Sequence, residues 1–192
     1  FFSQTSLQIC EGQQYDMDFE NRLDVSEGEY LQMITLKTAV MIAGATMTGG
    51  IIGGAGKEDC AKLYDFGLNL GLAFQIQDDL LDVYGNPEVF GKNIGGDILC
   101  GKKTYLLVKA LNTGDQELKS ELMRWLDTDG NPAEKIAAVT AIYDRMSLKE
   151  IAFDKKEQYY HKALQALDEV NLPHSRKAVL FDLAAELMDR TS

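Results

Sequence analysis

The chain has 192 residues, of which 45% are hydrophobic and three are proline. That composition supports one domain with a substantial core and excludes a disordered chain. The formal net charge of −11 excludes nucleic-acid binding as a main role, because such surfaces need a basic footprint.

The first residues, Phe1-Phe2, read as the middle of a helix, and the chain is expected to be a piece of a longer protein. Residues 1 to about 20 are predicted helical, with Leu7, Cys10, Gln14 and Met17 near one face. Ser26-Glu27-Gly28-Glu29 has the form of a capping box, in which Ser26 is the N-cap and Glu29 reaches back to it. The helix that follows runs to about Met47 or beyond. It is apolar nearly all round and is predicted to be buried. Lys37 is its only charge between Tyr30 and Gly56. A lysine so placed must find an anion, lose its charge, or extend its ammonium to water. Thr38 sits beside it.

Thr38 to Gly56 carries no charge and approaches the length of a membrane span. Its glycines and threonines fit closely approaching helices better. Gly56-Lys57 resembles a phosphate loop only superficially, since Ile51 stands where a glycine is required and Glu58 where a hydroxyl is required. A helix break is expected there. A new helix then runs to about Tyr84, roughly 42 Å at 1.5 Å per residue.

That long helix carries the most informative stretch, Phe74 to Asp82. Gln75, Asp78, Asp79 and Asp82 fall at i, i+3, i+4 and i+7, forming one polar stripe. From Leu63 to Gly91 there is no Lys or Arg, so no cation one turn away relieves the aspartates. The stripe also lies near the negative end of the helix dipole, before Gly85-Asn86-Pro87. The plain reading of such a stripe is a solvated helix face, but carboxylates in a doubly unfavourable place favour a bound cation over it.

Gly85 to Lys103 is predicted to be a loop with two glycine clusters. Lys92, Lys102 and Lys103 sit beside glycines that permit close approach of a ligand, a composition suited to phosphate. The remainder is helical. Thr104 to Asn112 is apolar, Asp115 to Leu126 is amphipathic, and Asn131-Pro132 opens a helix reaching Val170 with a break near Ser147. A last helix spans Leu172 to about Arg190. Trp125, His161 and His174 are expected to be structural or exposed. Cys10, Cys60 and Cys100 lack metal spacing and read as reduced thiols of a cytoplasmic protein.

Four pieces in order resemble the trans-type polyprenyl diphosphate synthases, the farnesyl and geranylgeranyl diphosphate synthase group. Gly12-Gln13-x-x-Asp16 resembles the family's GQxxD. Tyr30-x-x-Met33-x-x-x-Lys37-Thr38 resembles its lysine-threonine helix. Phe74-Gln75-x-x-Asp78-Asp79-x-x-Asp82 resembles its second aspartate-rich motif. Gly91-Lys92 to Asp97, then Gly101-Lys102-Lys103-Thr104, resembles the loop that follows.

The resemblance implies an all-α antiparallel bundle of the isoprenoid synthase type around a deep cavity, here its C-terminal part with N-terminal helices missing. It implies Mg²⁺ held by Asp78, with Asp79 and Asp82 completing the shell directly or through water. Lys37, Lys92 and Lys102 would hold diphosphate oxygens, and Thr38 and Gln75 would lie near the carbocation and leaving group. The substrates would be an allylic diphosphate and isopentenyl diphosphate, and the protein a homodimer. The uncharged stretch from Thr38 would wall the dry cavity.

The family's first aspartate-rich motif precedes GQxxD and has no counterpart here. Asp16-x-Asp18 and Asp127-x-Asp129 lack its spacing. The chain alone is therefore expected to be inactive. A terpene cyclase, a non-catalytic partner subunit and a helical interaction module remain alternatives at this point.

Overall fold

The computed structural model describes residues 1–86, 94–128 and 130–189. Helix α1 spans Phe2–Phe19, α2 Glu27–Ile34 and α3 Val40–Ile52, with a π-helical turn, Thr35–Ala39, joining the last two. Helix α4 spans Lys57–Tyr84, α5 Gly96–Cys100, α6 Tyr105–Leu111 and α7 Gln116–Leu126. The chain continues through α8 (Pro132–Arg145), α9 (Leu148–Asp168) and α10 (His174–Met188). The described residues form an all-α fold, as expected.

Several helix starts follow directly from local chemistry. Ser26 accepts from the Glu29 amide while Glu29 accepts from the Ser26 amide, so both halves of the capping box form. Thr104, Asp115 and Asn131 cap α6, α7 and α8 with their side chains, and Pro132 occupies the first turn of α8. Each such cap satisfies amides that the helix itself leaves unpaired, and contributes about 1 kcal/mol. The break near Ser147 is real: Ser147 adopts a φ of 51°, which ends α8 and opens α9. Helix α10 is shorter than predicted, beginning at His174 and ending at Met188.

Helix α4 is the axis of the molecule and packs along α9 on one side and α3 on the other. Both neighbours run antiparallel to it. Lys149, at the start of α9, lies over the ring of Tyr84 at the end of α4, while the Asn171 amide just past α9 bonds Asp59 at the start of α4. Ala43 and Ala39 press against Gly67 and Gly71 in turn, leaving no room for a side chain at either glycine. The main core gathers Phe19, Tyr30, Ile34, Ile76, Leu106, Leu122 and Tyr143 around this axis. A second cluster joins Phe66 and Leu70 to Ala163, Leu167 and Ala184. Burying each large apolar side chain contributes about 1.5–3 kcal/mol.

Two expectations fail here. The α2–α3 segment is not buried all round: Ala39, Val40 and Ala43 are, but Met41 is 57% and Ile52 82% exposed. Its buried face is the one against α1 and α4, and no described residue covers the other. By length and composition alone, Glu27–Ile52 would be apolar enough to cross a membrane. The expected loop Gly85–Lys103 also contains a short helix, α5, whose flanking glycines Gly95 and Gly101 made it read as loop. The π-helical turn had no signal in the sequence.

Trp125 packs against the main core, whereas His161 and His174 are exposed. Cys60 is buried, Cys10 and Cys100 are exposed, and all three are free thiols.

Candidate functional site

The C-terminal half of α4 meets α1, the end of α2, the π-helical turn and the segment just before α6 at one small concavity of about 150 Å³. Asp16, Lys37, Gln75, Asp78, Asp79, Lys102 and Lys103 line it, with Tyr30, Met33 and Ile34 behind them. Residues that stand up to 87 positions apart in sequence are thus gathered at one place.

The cations come from two segments. Lys37 rises from the π-helical turn and pairs with Asp16 of α1 at 2.6 Å. Its expected anion is therefore supplied within the chain. Lys102 follows α5 and pairs with Asp97 at 3.2 Å. Burial alone would lower the Lys102 pKa, but the charges of Asp97 and Asp79 outweigh it and raise it. Lys103 is buried, and donates to the carbonyls of Glu20 and Gly101 at 3.0 and 3.2 Å. Burial holds its pKa below the ordinary lysine value. Lys92 lies outside the described residues.

The three aspartates occupy different environments. Asp78 is exposed at the concavity. Asp79 is only 2% exposed, and its Oδ2 accepts from the Tyr30 hydroxyl at 2.5 Å and the Tyr105 amide at 2.7 Å. Burial pushes the Asp79 carboxyl up to about 7, although both hydrogen bonds oppose that shift. Asp82 is partly buried one turn further on, outside the lining. Its Oδ2 accepts from the Asp97 amide at 3.0 Å, and its carbonyl accepts from the Gly95 amide at 2.6 Å. Burial raises its pKa as well. Helical spacing put the three on one polar stripe but could not separate a surface position from one sealed by α2 and α6.

Thr38 and Gln75 form a fixed pair, with the Thr38 hydroxyl donating to the Gln75 Oε1 at 3.0 Å. Gln75 lines the concavity and Thr38 stands one residue behind Lys37. Sequence reasoning singled out neither the Asp16–Lys37 pairing nor the part Tyr30 and Tyr105 play. No sequence signal marks a buried tyrosine as the partner of a particular carboxylate.

The uncharged stretch Thr38–Gly56 does not wall this concavity. Its far end, with Leu63 and Leu180, lines a separate apolar cavity of about 650 Å³. That cavity lies roughly 20–25 Å from Asp78 along α4, by the rise of a helix. The absence of charge in this stretch specified neither which of its residues are buried nor which hollow they face.

Comparison with known proteins agrees with the resemblance. The model of the polyprenyl synthetase family matches residues 1–146. A short chain isoprenyl diphosphate synthase of Methanothermobacter thermautotrophicus is 41% identical over 174 residues, 90% of this chain and 53% of that protein. A geranylgeranyl diphosphate synthase of Saccharolobus solfataricus is 41% identical over 167 residues, 86% of this chain and 50% of its own length. The chain spans about half the length of these curated relatives.

A crystal structure of a geranylgeranyl pyrophosphate synthase superposes with a TM-score of 0.91 at 42% identity, covering 100% of this chain and 60% of that one. A decaprenyl diphosphate synthase from Rhodobacter capsulatus gives 0.86 at 32% identity, covering 99% and 58%. With the family match covering most of the sequence and the helices superposing throughout, the chain belongs to the polyprenyl synthetase family.

Proposed function

We propose that this chain is the diphosphate-holding part of a prenyltransferase that joins isopentenyl diphosphate to an allylic diphosphate. The observation that carries the reading is the single concavity shared by Asp78, Lys37, Lys102 and Gln75. A carboxylate beside ammonium groups is what a metal-bound diphosphate requires.

The donor chemistry fits Mg²⁺. Among the described residues, no three Asp, Glu, His or Cys side chains form a ready-made metal cage. Mg²⁺ needs none, since it keeps several waters and takes one or two carboxylates with phosphate oxygens. In this reading Asp78 is the direct ligand and Asp82 acts through water. When bound, Mg²⁺ adds positive charge where the leaving diphosphate becomes more negative.

Lys37 and Lys102 hold diphosphate oxygens by charge-assisted hydrogen bonds, and Lys92 would join them. They favour departure of the diphosphate, because charge developing there meets donors already in place. Gln75, oriented by Thr38, presents its amide beside the leaving group. The allylic C–O bond breaks and its electron pair leaves with the diphosphate. The C=C of isopentenyl diphosphate attacks the allylic cation, and a proton is lost from the new cation to restore a double bond.

A concavity of about 150 Å³ is smaller than the roughly 300–1,000 Å³ of typical small-molecule sites. It suits a diphosphate and not a prenyl chain. We therefore expect the chain alone to bind Mg²⁺-pyrophosphate but not to transfer prenyl groups. Titration calorimetry tests this: Mg²⁺ should tighten pyrophosphate binding by the wild type, and Asp78→Asn should abolish that tightening. Equal tightening in Asp78→Asn, or turnover of both prenyl substrates by this chain alone, contradicts the reading.

A further inference from the structure

Asp79 is hydrogen-bonded to the two helices, α2 and α6, that adjoin the segments carrying the site's cations. Its Oδ2 accepts from the Tyr30 hydroxyl and from the Tyr105 amide, and all three residues are at most 2% exposed. Tyr105 is the first residue of α6, and Lys102 and Lys103 immediately precede its N-cap, Thr104. Tyr30 lies about two turns before Lys37 along α2 and the π-helical turn.

A carboxylate that ligates a metal must turn a free lone pair toward it. The two lone pairs of Oδ2 already have donors. Oδ1 faces the Gln75 side-chain amide at 3.4 Å. Asp78, next in sequence, is by contrast exposed at the concavity. Two adjacent aspartates on a helix point about 100° apart. Asp79 also borders the concavity, but it is buried and its Oδ2 is turned to Tyr30 and Tyr105.

We propose that Asp79 is a positioning residue rather than a metal ligand, holding Lys37 and the Lys102–Lys103 segment against α4 through Tyr30 and Tyr105. This deepens the reading of the concavity given above and rests on it.

The two roles separate when pyrophosphate binding is measured without metal. A metal ligand adds nothing in EDTA, and its removal even relieves repulsion of the anion. A positioning residue is needed whether or not metal is present. Titration calorimetry with pyrophosphate, in EDTA and in Mg²⁺, is the measurement, on wild type, Asp79→Ala, Asp79→Asn and Tyr30→Phe. Asp79→Ala should weaken binding about tenfold or more in both conditions, the scale of one lost charge-assisted hydrogen bond. Asp79→Asn keeps an oxygen with two lone pairs for Tyr30 and Tyr105. It should restore binding to within about threefold and keep the tightening by Mg²⁺. Tyr30→Phe leaves the carboxylate in place but cuts its link to α2, and should weaken binding in EDTA. It carries the test if Asp79→Ala does not fold.

Wild-type affinity of Tyr30→Phe in EDTA overturns the proposal. So does an Asp79→Asn that binds in EDTA but loses the Mg²⁺ effect. If the wild type binds pyrophosphate in neither condition, the reading of the concavity fails, and this proposal with it.

Discussion

Gly12 of α1 lies directly against the backbone of Lys37, so close that a methyl group there would overlap the Lys37 nitrogen and the Leu36 carbonyl carbon. The helix crossing that brings Asp16 to Lys37 depends on the missing side chain. Gly12→Ala should cost about 1–3 kcal/mol, the usual penalty for overpacking, and should weaken pyrophosphate binding by displacing Lys37. Gly49 of α3 is the control, since a methyl group there meets nothing within 4 Å. Gly49→Ala should stabilise by about 0.5–1 kcal/mol through helix propensity. Denaturant unfolding of both variants checks the contrast, and equal effects would contradict it.

Lys37 and Asp16 form a pair that an incoming diphosphate must share. An ammonium has three donors, so Lys37 can keep Asp16 while bonding phosphate oxygens. The Asp16 charge nonetheless repels the anion. Asp16→Asn should tighten pyrophosphate binding severalfold at low salt, with a smaller gain at high salt as screening grows. Lys37→Ala should weaken it by about tenfold or more. Calorimetry at two ionic strengths measures both, and weaker binding by Asp16→Asn at low salt counts against the electrostatic account.

Glu27, at the start of α2, ties three elements together. It accepts from Lys155 at 2.9 Å, Lys109 at 3.0 Å and the Tyr105 hydroxyl at 3.2 Å. Burial works against its charge, but the bonds from Lys155 and Lys109 outweigh it and hold the carboxyl below the ordinary glutamate value. A carboxyl depressed in the folded state binds fewer protons there than in the unfolded chain. Its contribution is therefore present above the unfolded value and lost as pH falls through the folded one. Glu27→Gln should cost about 1 kcal/mol near pH 7. The gap to wild type should close below about pH 4. Urea unfolding across that range measures it, and a gap independent of pH would remove the ionic explanation.

Much of the architecture is written in short-range chemistry. Ser26 with Glu29, Asp115 and Asn131 with Pro132 each act within one turn, so helix starts could be read residue by residue. The spacing of Gln75, Asp78, Asp79 and Asp82 likewise fixed which residues share a helix face, and the four ordered motifs pointed to the family. Only the tertiary structure decided how those residues differ. Tyr30 and Tyr105 arrive from 49 and 26 positions away to seal Asp79, while Asp78 stays open. The π-helical turn that sends Lys37 to Asp16 and Thr38 to Gln75 is held between α1 and α4, and no local propensity encodes it. The face of α3 that carries Met41 and Ile52 stays exposed for the same reason. Burial is a property of what packs against a surface, and the sequence of a helix specifies its apolar faces without specifying which neighbours will cover them.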